Sequence, residues 1–401
     1  MKILYVITAL GVGGAENLLV DVCREMKKHH RITVAYLLKP ADFHAKLAAM
    51  DINVIFIDRK KLGLIRAFFA LRRIIKRENI DIVHTHLPSA DTLGRLAALS
   101  IRRVRVASTI HNSDLWKLEK SPLSLILRGY NRLSINLSKR ARLIAVSQSA
   151  KDFCCQRERI RPDKITVIYN FIDFENPIKS QDGFVFPLAP AAGGRMAEND
   201  QMADGGHMTG SDRMADGGRT GAFTIITAAR MEPNKGHLLL LKAVRLLVTR
   251  RNIPALRLML LGEGSCEQEL KAYAERQGLS ENVHFMGVHP NIYDYFRAAD
   301  LMVLPSQNEG QSIAILEAFY CGTPVLASDI PANAEQLRGG ENGALFSLAG
   351  GEEALAAAIQ SFFMGKQEVE VMKENARAYC LSLTAEHHIQ ALGRVYEDES
   401  W

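Results

Sequence analysis

Apolar, β-branched runs alternate with helix-length amphipathic stretches along almost the whole of this chain, and no other feature constrains its fold so strongly. A run that is apolar at nearly every position cannot lie half in water. It needs cover on both faces, which is the environment of a parallel sheet whose strands are returned by helices. Residues 2–8, 32–38, 54–57, 81–85, 105–110, 142–147 and 165–169 read as one series of strands. Residues 223–228, 256–261, 283–286, 301–304 and 324–328 read as a second. At 401 residues the chain is also too long for one comfortable core. Two such series in tandem predict an α/β fold of two Rossmann-like domains, whose facing crevice lies at the carboxyl ends of the strands.

The boundaries follow from composition. A first domain is expected over 1–175, a linker or insertion over 176–222 and a second domain over 223–383, with a C-terminal helix over 384–401 for which a return to the first domain is open. The insertion repeats Met-Ala-Asp-Gly-Gly at 202–206 and 214–218 and has no periodic apolar face in its latter part, a composition that predicts disorder. The apolar start, Met1 to Leu10, runs into a Gly-rich loop without a small-residue cleavage site, so it reads as a buried strand rather than a signal peptide. No run reaches the length of a membrane span. The six cysteines show neither metal-ligand spacing nor a disulfide framework, which suits a reducing compartment. A cytoplasmic location is expected, with peripheral attachment to the inner face of a membrane open.

Charge divides the chain. Residues 1–175 carry 31 Lys and Arg against 16 Asp and Glu, so the remainder is acidic although the whole chain is +6. A basic first half suits an anionic partner: membrane lipid, a phosphorylated carrier or nucleic acid. The helical stretch Leu64–Glu78 is expected to turn Leu64, Phe68, Leu71, Ile74 and Ile75 to the core. Arg66, Arg73, Lys76 and Arg77 then gather on the other face with Ile65 and Phe69 near them, as on a helix lying in an anionic interface or as a merely solvated basic face. Basic residues are not interleaved with base-stacking aromatics, so nucleic acid is not expected as a partner.

Five places carry chemistry. Gly11-Val12-Gly13-Gly14-Ala15-Glu16 ends a strand and opens a helix, but Glu16 spoils the dinucleotide fingerprint. What remains is a tight loop whose backbone N–H groups can approach an anionic ligand. His84, His86 and His111 close strands, where a doubly wound sheet places ligand contacts; no third ligand spacing supports a metal, and none is expected. Arg230 and Lys235, after the strand over 223–228, can converge on a diphosphate as planar fork and point charge. Gly262 gives a bend at the crevice. Glu309 stands in a Gly-containing loop and Glu317 eight positions on in an apolar segment, a pair able to grip two ends of one polar ligand.

Taken in order, the Gly loop, His111, Arg230 and Lys235, then Glu309 and Glu317 with Gly322-Thr323-Pro324 beyond, resemble a family 4 retaining glycosyltransferase of the GT-B fold. The resemblance covers nearly the whole chain outside the insertion. It implies transfer of a sugar, with retention, from a nucleotide diphosphate donor to a hydroxyl of a glycan or lipid-linked acceptor, with a UDP-sugar as the default donor. It implies no cofactor and no metal. Glu317 would hold the ribose hydroxyls, and Glu309 the sugar hydroxyls, assisted by backbone amides from Gly310 through Gln311 to Ser312. Gly13 and Gly14 would lie near the donor, and His111 would face its sugar. Arg230 and Lys235 would neutralise the departing diphosphate, and attack would come from the leaving group's own face. The family more commonly carries Glu-Gly-Phe-Gly where this chain has Glu309-Gly310-Gln311-Ser312, which leaves the sugar open. A nucleotide-sugar epimerase or phosphorylase of similar fold is the enzyme alternative, and a nucleic-acid-binding protein the non-enzyme one.

Overall fold

The computed structural model describes residues 1–112, 122–173 and 222–398, apart from 252, 254, 290, 366 and 367. The expected insertion at 176–222 lies outside the described residues except for Ala222. Two parallel sheets form the frame. The first comprises β1 (Lys2–Ile7), β2 (Arg31–Tyr36), β3 (Asn53–Phe56), β4 (Ile82–His86), β5 (Arg105–Ile110), β6 (Ala141–Ala145) and β7 (Ile165–Val167), in the order β3-β2-β1-β4-β5-β6-β7. The second comprises β8 (Phe223–Ala228), β9 (Leu256–Leu261), β10 (Val283–Gly287), β11 (Leu301–Leu304), β12 (Val325–Ser328) and β13 (Ala344–Phe346), in the order β10-β9-β8-β11-β12-β13. All twelve expected strands are present, with ends displaced by a residue or two. The edge strand β13 was not expected: three residues after Gly343 are too few to show a period.

The first domain returns its strands through α1 (Gly14–Met26), α2 (His44–Ala48), α3 (Arg59–Arg77), α4 (Pro88–Leu99), α5 (Pro122–Asn136) and α6 (Gln148–Gln156). The second uses α7 (His237–Thr249), α8 (Glu267–Arg276), α9 (Tyr293–Ala298), α10 (Ile313–Cys321) and α11 (Pro331–Gln336), followed by α12 (Gly351–Phe363), α13 (Val369–Ser382) and α14 (Ala385–Glu397). Central strands β4 and β6 are buried at every residue, as cover on both faces requires. One face of the first sheet packs under α3, α4, α5 and α6 through Leu71, Leu93, Ile135 and Cys154. On the other face lie α1, with Leu19 and Val22, and also α14, whose Leu392, Val395 and Tyr396 join the same core. The last helix of the chain therefore belongs, by packing, to the first domain. Each fully buried Leu, Ile or Val contributes roughly 1.5–3 kcal/mol.

Helix α3 corrects one expectation. Leu71, Ile74 and Ile75 are buried and Phe68 is partly so, but Leu64 is 61% exposed. Gly63 interrupts the helix at φ +73°, ψ 171°, and the chain re-enters helical geometry with Leu64 already turned to solvent. Ala67, not Leu64, begins the buried stripe. The cysteines are all free, and Cys23, Cys154 and Cys380 are buried.

Candidate functional site

In a doubly wound sheet the order of strands reverses at one point, and the loops there splay apart to leave a crevice. The reversal falls between β1 and β4 in the first sheet and between β8 and β11 in the second. The loops leaving those strands carry Gly11–Gly14, His86, Arg230 and Glu309. Topology thus brings together residues separated by up to about three hundred positions.

The two domains meet closely at this point. Asn112 forms an isolated antiparallel bridge with Gly310. A Cβ built on Gly310 would lie 2.3 Å from the His111 carbonyl oxygen, so only glycine admits the approach. Gly14 stands against Ile313, at 3.2 Å from a would-be Cβ. Gly13 faces the Glu16 carboxylate, which folds back over the start of α1. Burial raises the pKa of Glu16, opposed by its own backbone N–H and by the charge of Arg230. The start of α1, expected to accept an anion, therefore already has a carboxylate beside it.

Lys235 and Glu309 form an ion pair at 2.7 Å with little exposure on either side. Arg230 is exposed and has no ion pair among the described residues. Its backbone is set by two tight glycines. Gly262 holds φ +123° with Ala229 O 2.3 Å from any Cβ, and Gly236 holds φ +73° with Pro305 O at 2.1 Å. Gly262 thus shapes the loop that carries Arg230.

Glu317, on α10, is partly buried and meets no hydrogen-bond donor or cation among the described residues. Burial, and then the nearby Asp21, raise its pKa to about 8. An acceptor-rich group enclosed without a donor is a group arranged for a ligand that brings donors.

Gln311 and Ser312 do not turn their side chains into the crevice. Gln311 Oε1 accepts from the Asn170 backbone N–H at 2.5 Å, and Asn170 Nδ2 donates to Gln311 O, across the domain seam. Ser312 is the N-cap of α10, and Gln336 holds its backbone N–H and C=O. Glu335 is a clamp: its carboxylate accepts from Gln148 N and Ser149 N, both at 2.7 Å, and from Tyr169 Oη.

The histidines assemble further than expected. His86 Nδ1 lies 2.8 Å from His111 Nε2, and the rings of His84 and His86 stack with centroids 4.4 Å apart. His84 bonds Tyr396 of α14 at 2.5 Å and Thr109 at 2.7 Å. His388, also on α14, bonds Tyr169 O. Burial lowers His84 to about 3 and His111 and His388 to about 4, so these imidazoles are neutral at physiological pH. Asp21, Tyr396 and His388 carry no local motif; they reach the site only through folding.

Comparison with known proteins follows the same division. The glycosyltransferase family 4 profile matches residues 12–176, and the profile for glycosyl transferases group 1 matches residues 212–379. An Escherichia coli enzyme named as a UDP-Gal:α-D-GlcNAc-diphosphoundecaprenol α-1,3-galactosyltransferase is 27% identical over 271 residues, 67% of this chain. That match spans 62% of the relative, less than two thirds of its length. A Bacillus subtilis protein, EpsD, named as a glycosyltransferase, is 26% identical over 81% of this chain and 78% of its own. Among solved structures, Anabaena HepE in complex with UDP-glucose superposes with a TM-score of 0.75 at 23% identity, covering 98% of this chain and 99% of that one.

Glu317 yields a stability prediction. A carboxyl raised from its ordinary 4.5 to about 8 by folding contributes stability below pH 4.5 that is lost as pH rises to 8. Glu317→Gln should therefore raise the melting temperature at pH 8 and barely change it at pH 4.5. Thermal scans across that range decide it, and an equal shift at both ends would refute the assignment.

Proposed function

The chain belongs to the family 4, group 1 glycosyltransferases of the GT-B fold, and from that premise we propose that it moves a sugar from a UDP-sugar to a hydroxyl of a glycan or lipid-linked acceptor, with retention and without a metal. The observation that carries the proposal is the meeting, at the switch point of the second sheet, of unpaired Arg230, the Lys235–Glu309 pair and the donor-less carboxyl of Glu317. Each answers one part of a nucleotide sugar.

Arg230 and Lys235 would take the diphosphate, where charge grows as the sugar departs. Glu317 would accept from the ribose hydroxyls, and binding would favour its ionised form. Glu309, with the amides of Gly310 and Gln311, would hold the sugar, the Ser312 amide being taken by Gln336, and His111 would face it from the other domain. Gly13 and Gly14 bring the first loop near. A double displacement needs a carboxylate free to attack the anomeric carbon. The engagement of Glu309 by Lys235 supports instead same-face attack assisted by the leaving phosphate.

A UDP-sugar donor and a lipid-linked acceptor are supported by the E. coli relative, whose name specifies both. A second observation favours a membrane-linked acceptor. Ile65 and Phe69, 74% and 59% exposed, stand on α3 among Arg66, Arg73, Lys76 and Arg77, and Phe69 lines an open hollow with Arg72, Arg73, Lys76 and Arg77. On the same helical layer Leu96, Leu125, Ile126 and Leu133 are exposed too. Apolar side chains among cations suit a headgroup interface at the cytoplasmic face of a membrane. Among the described residues no helix is long and apolar enough to cross one.

Three tests follow. A panel of nucleotide sugars should single out one by thermal shift, since a ligand at a hundred times its Kd adds about 2.7 kcal/mol. Incubating that donor without acceptor should yield no epimer and no phosphate dependence; either product would point to the epimerase or phosphorylase alternative. Arg230→Ala should lower kcat about a hundredfold with the melting temperature unchanged. Lys235→Ala should lower both, because it also removes the 2.7 Å ion pair with Glu309; normal turnover in either folded variant would sink the diphosphate assignment. Finally, the protein should sediment with anionic but not zwitterionic vesicles, and Ile65→Asp with Phe69→Asp should abolish that. Equal sedimentation of wild type and variant would refute the interface.

A further inference from the structure

His86 offers two ring nitrogens and the fold uses only one. Its Nδ1 lies 2.8 Å from His111 Nε2, while its Nε2 is enclosed without a partner among the described residues. The side chain is 4% exposed. The ring is held from several sides: His84 stacks on it at 4.4 Å, Tyr5 lies 5.9 Å away and His111 5.1 Å, centroid to centroid. His84 is itself fixed at both nitrogens by Tyr396 and Thr109, and Tyr396 is met by Tyr5 Oη at 3.3 Å. His86 therefore has little freedom to flip and exchange its nitrogens.

Burial holds both His86 and His111 neutral, so each imidazole carries one N–H, and one hydrogen bond joins them. Two proton arrangements satisfy that bond. If His111 Nε2–H donated to His86, the proton of His86 would sit on Nε2, a buried N–H with nothing to receive it. If His86 Nδ1–H donates, Nε2 carries only a lone pair. Orphaned buried N–H groups are rarer than under-satisfied acceptors, which favours the second arrangement. His111 then accepts at Nε2 and carries its own proton on Nδ1. That nitrogen has no partner among the described residues and is not among the enclosed unsatisfied atoms.

We infer that His86 is a positioning residue: by donating to His111 Nε2 it fixes His111 as the Nδ1–H tautomer, so that the first domain presents a hydrogen-bond donor, not an acceptor, to a sugar oxygen in the crevice. The sugar's place there rests on the proposed function, but the tautomer does not. With the opposite tautomer the same histidine would offer only a lone pair to that oxygen. His86 thus sets the polarity of a contact it does not make.

Long-range 1H–15N correlation on histidine-labelled protein reads the tautomer directly. Wild-type His111 should show the Nδ1–H pattern at pH 7; an Nε2–H pattern would overturn the inference whatever the variants do. His86→Leu removes the donor, and His86→Asn restores an N–H near the Nδ1 position. In His86→Leu the His111 signals should move toward the other tautomer. Affinity for the free nucleoside diphosphate should hold within about twofold while affinity for the intact nucleotide sugar falls about tenfold, the effect of one lost hydrogen bond. His86→Asn should recover most of that loss. Equal loss in Leu and Asn, or an unmoved His111 tautomer in Leu, would overturn it. If no nucleotide sugar binds wild type, the proposed function fails, and the wild-type spectrum still decides the role of His86.

Discussion

The backbone of Gly310 passes so close to the His111 carbonyl that no side chain fits between them, and the rest of the site takes its position from that approach. Asn112 bridges Gly310 at the same point, and Gln311 reaches across to the Asn170 amide at the end of the first domain. Glu335 caps the first turn of α6 from the other side of the seam. These contacts join domains that share no sheet. They set Gly310 against His111, and through Ser312 they fix where α10 begins. The segment that departs from the common family sequence is therefore the one that ties the domains together, and it does so through Gln311, bonded to Asn170.

Charge within the crevice is deliberately uneven. Lys235 and Glu309 neutralise each other at 2.7 Å, whereas Arg230 and Glu317 have no such partner among the described residues. An enclosed carboxyl without a donor reduces the stability of the folded chain, a penalty that active sites tolerate because the ligand relieves it. The histidines contribute no charge at all. Burial makes them directional hydrogen-bonding groups, and in that state the arrangement of protons matters more than their number. The C-terminal helix takes part in this, since Tyr396 and His388 come from α14.

The sheets were legible because a strand buried on both faces writes its environment into every residue, as β4, β5 and β8 do. The three-residue β13 was not, for want of a period. Leu64 was misplaced although its spacing to Phe68 and Leu71 is helical: it is the first residue after the break at Gly63 and stands at the open end of the stripe. The basic surplus of the first half also overstated its surface field. Arg95 is buried with its guanidinium bonded to Asn131 and Ser108, and Lys164 gives its ammonium to the Ser138 carbonyl.

Patterning along the chain is enough to specify the two parallel sheets and the strand ends where polar residues gather. Both follow from local hydrophobic patterning and from the short loops that carry Arg230, Lys235 and Glu309. Only the tertiary structure decided which of those residues are paired, which are left open and which are turned aside. Lys235 meets Glu309 across 74 positions, and His84 meets Tyr396 across 312. No local pattern encodes such distances along the chain, because they arise from the order of strands within the second sheet and from the return of α14 to the first domain.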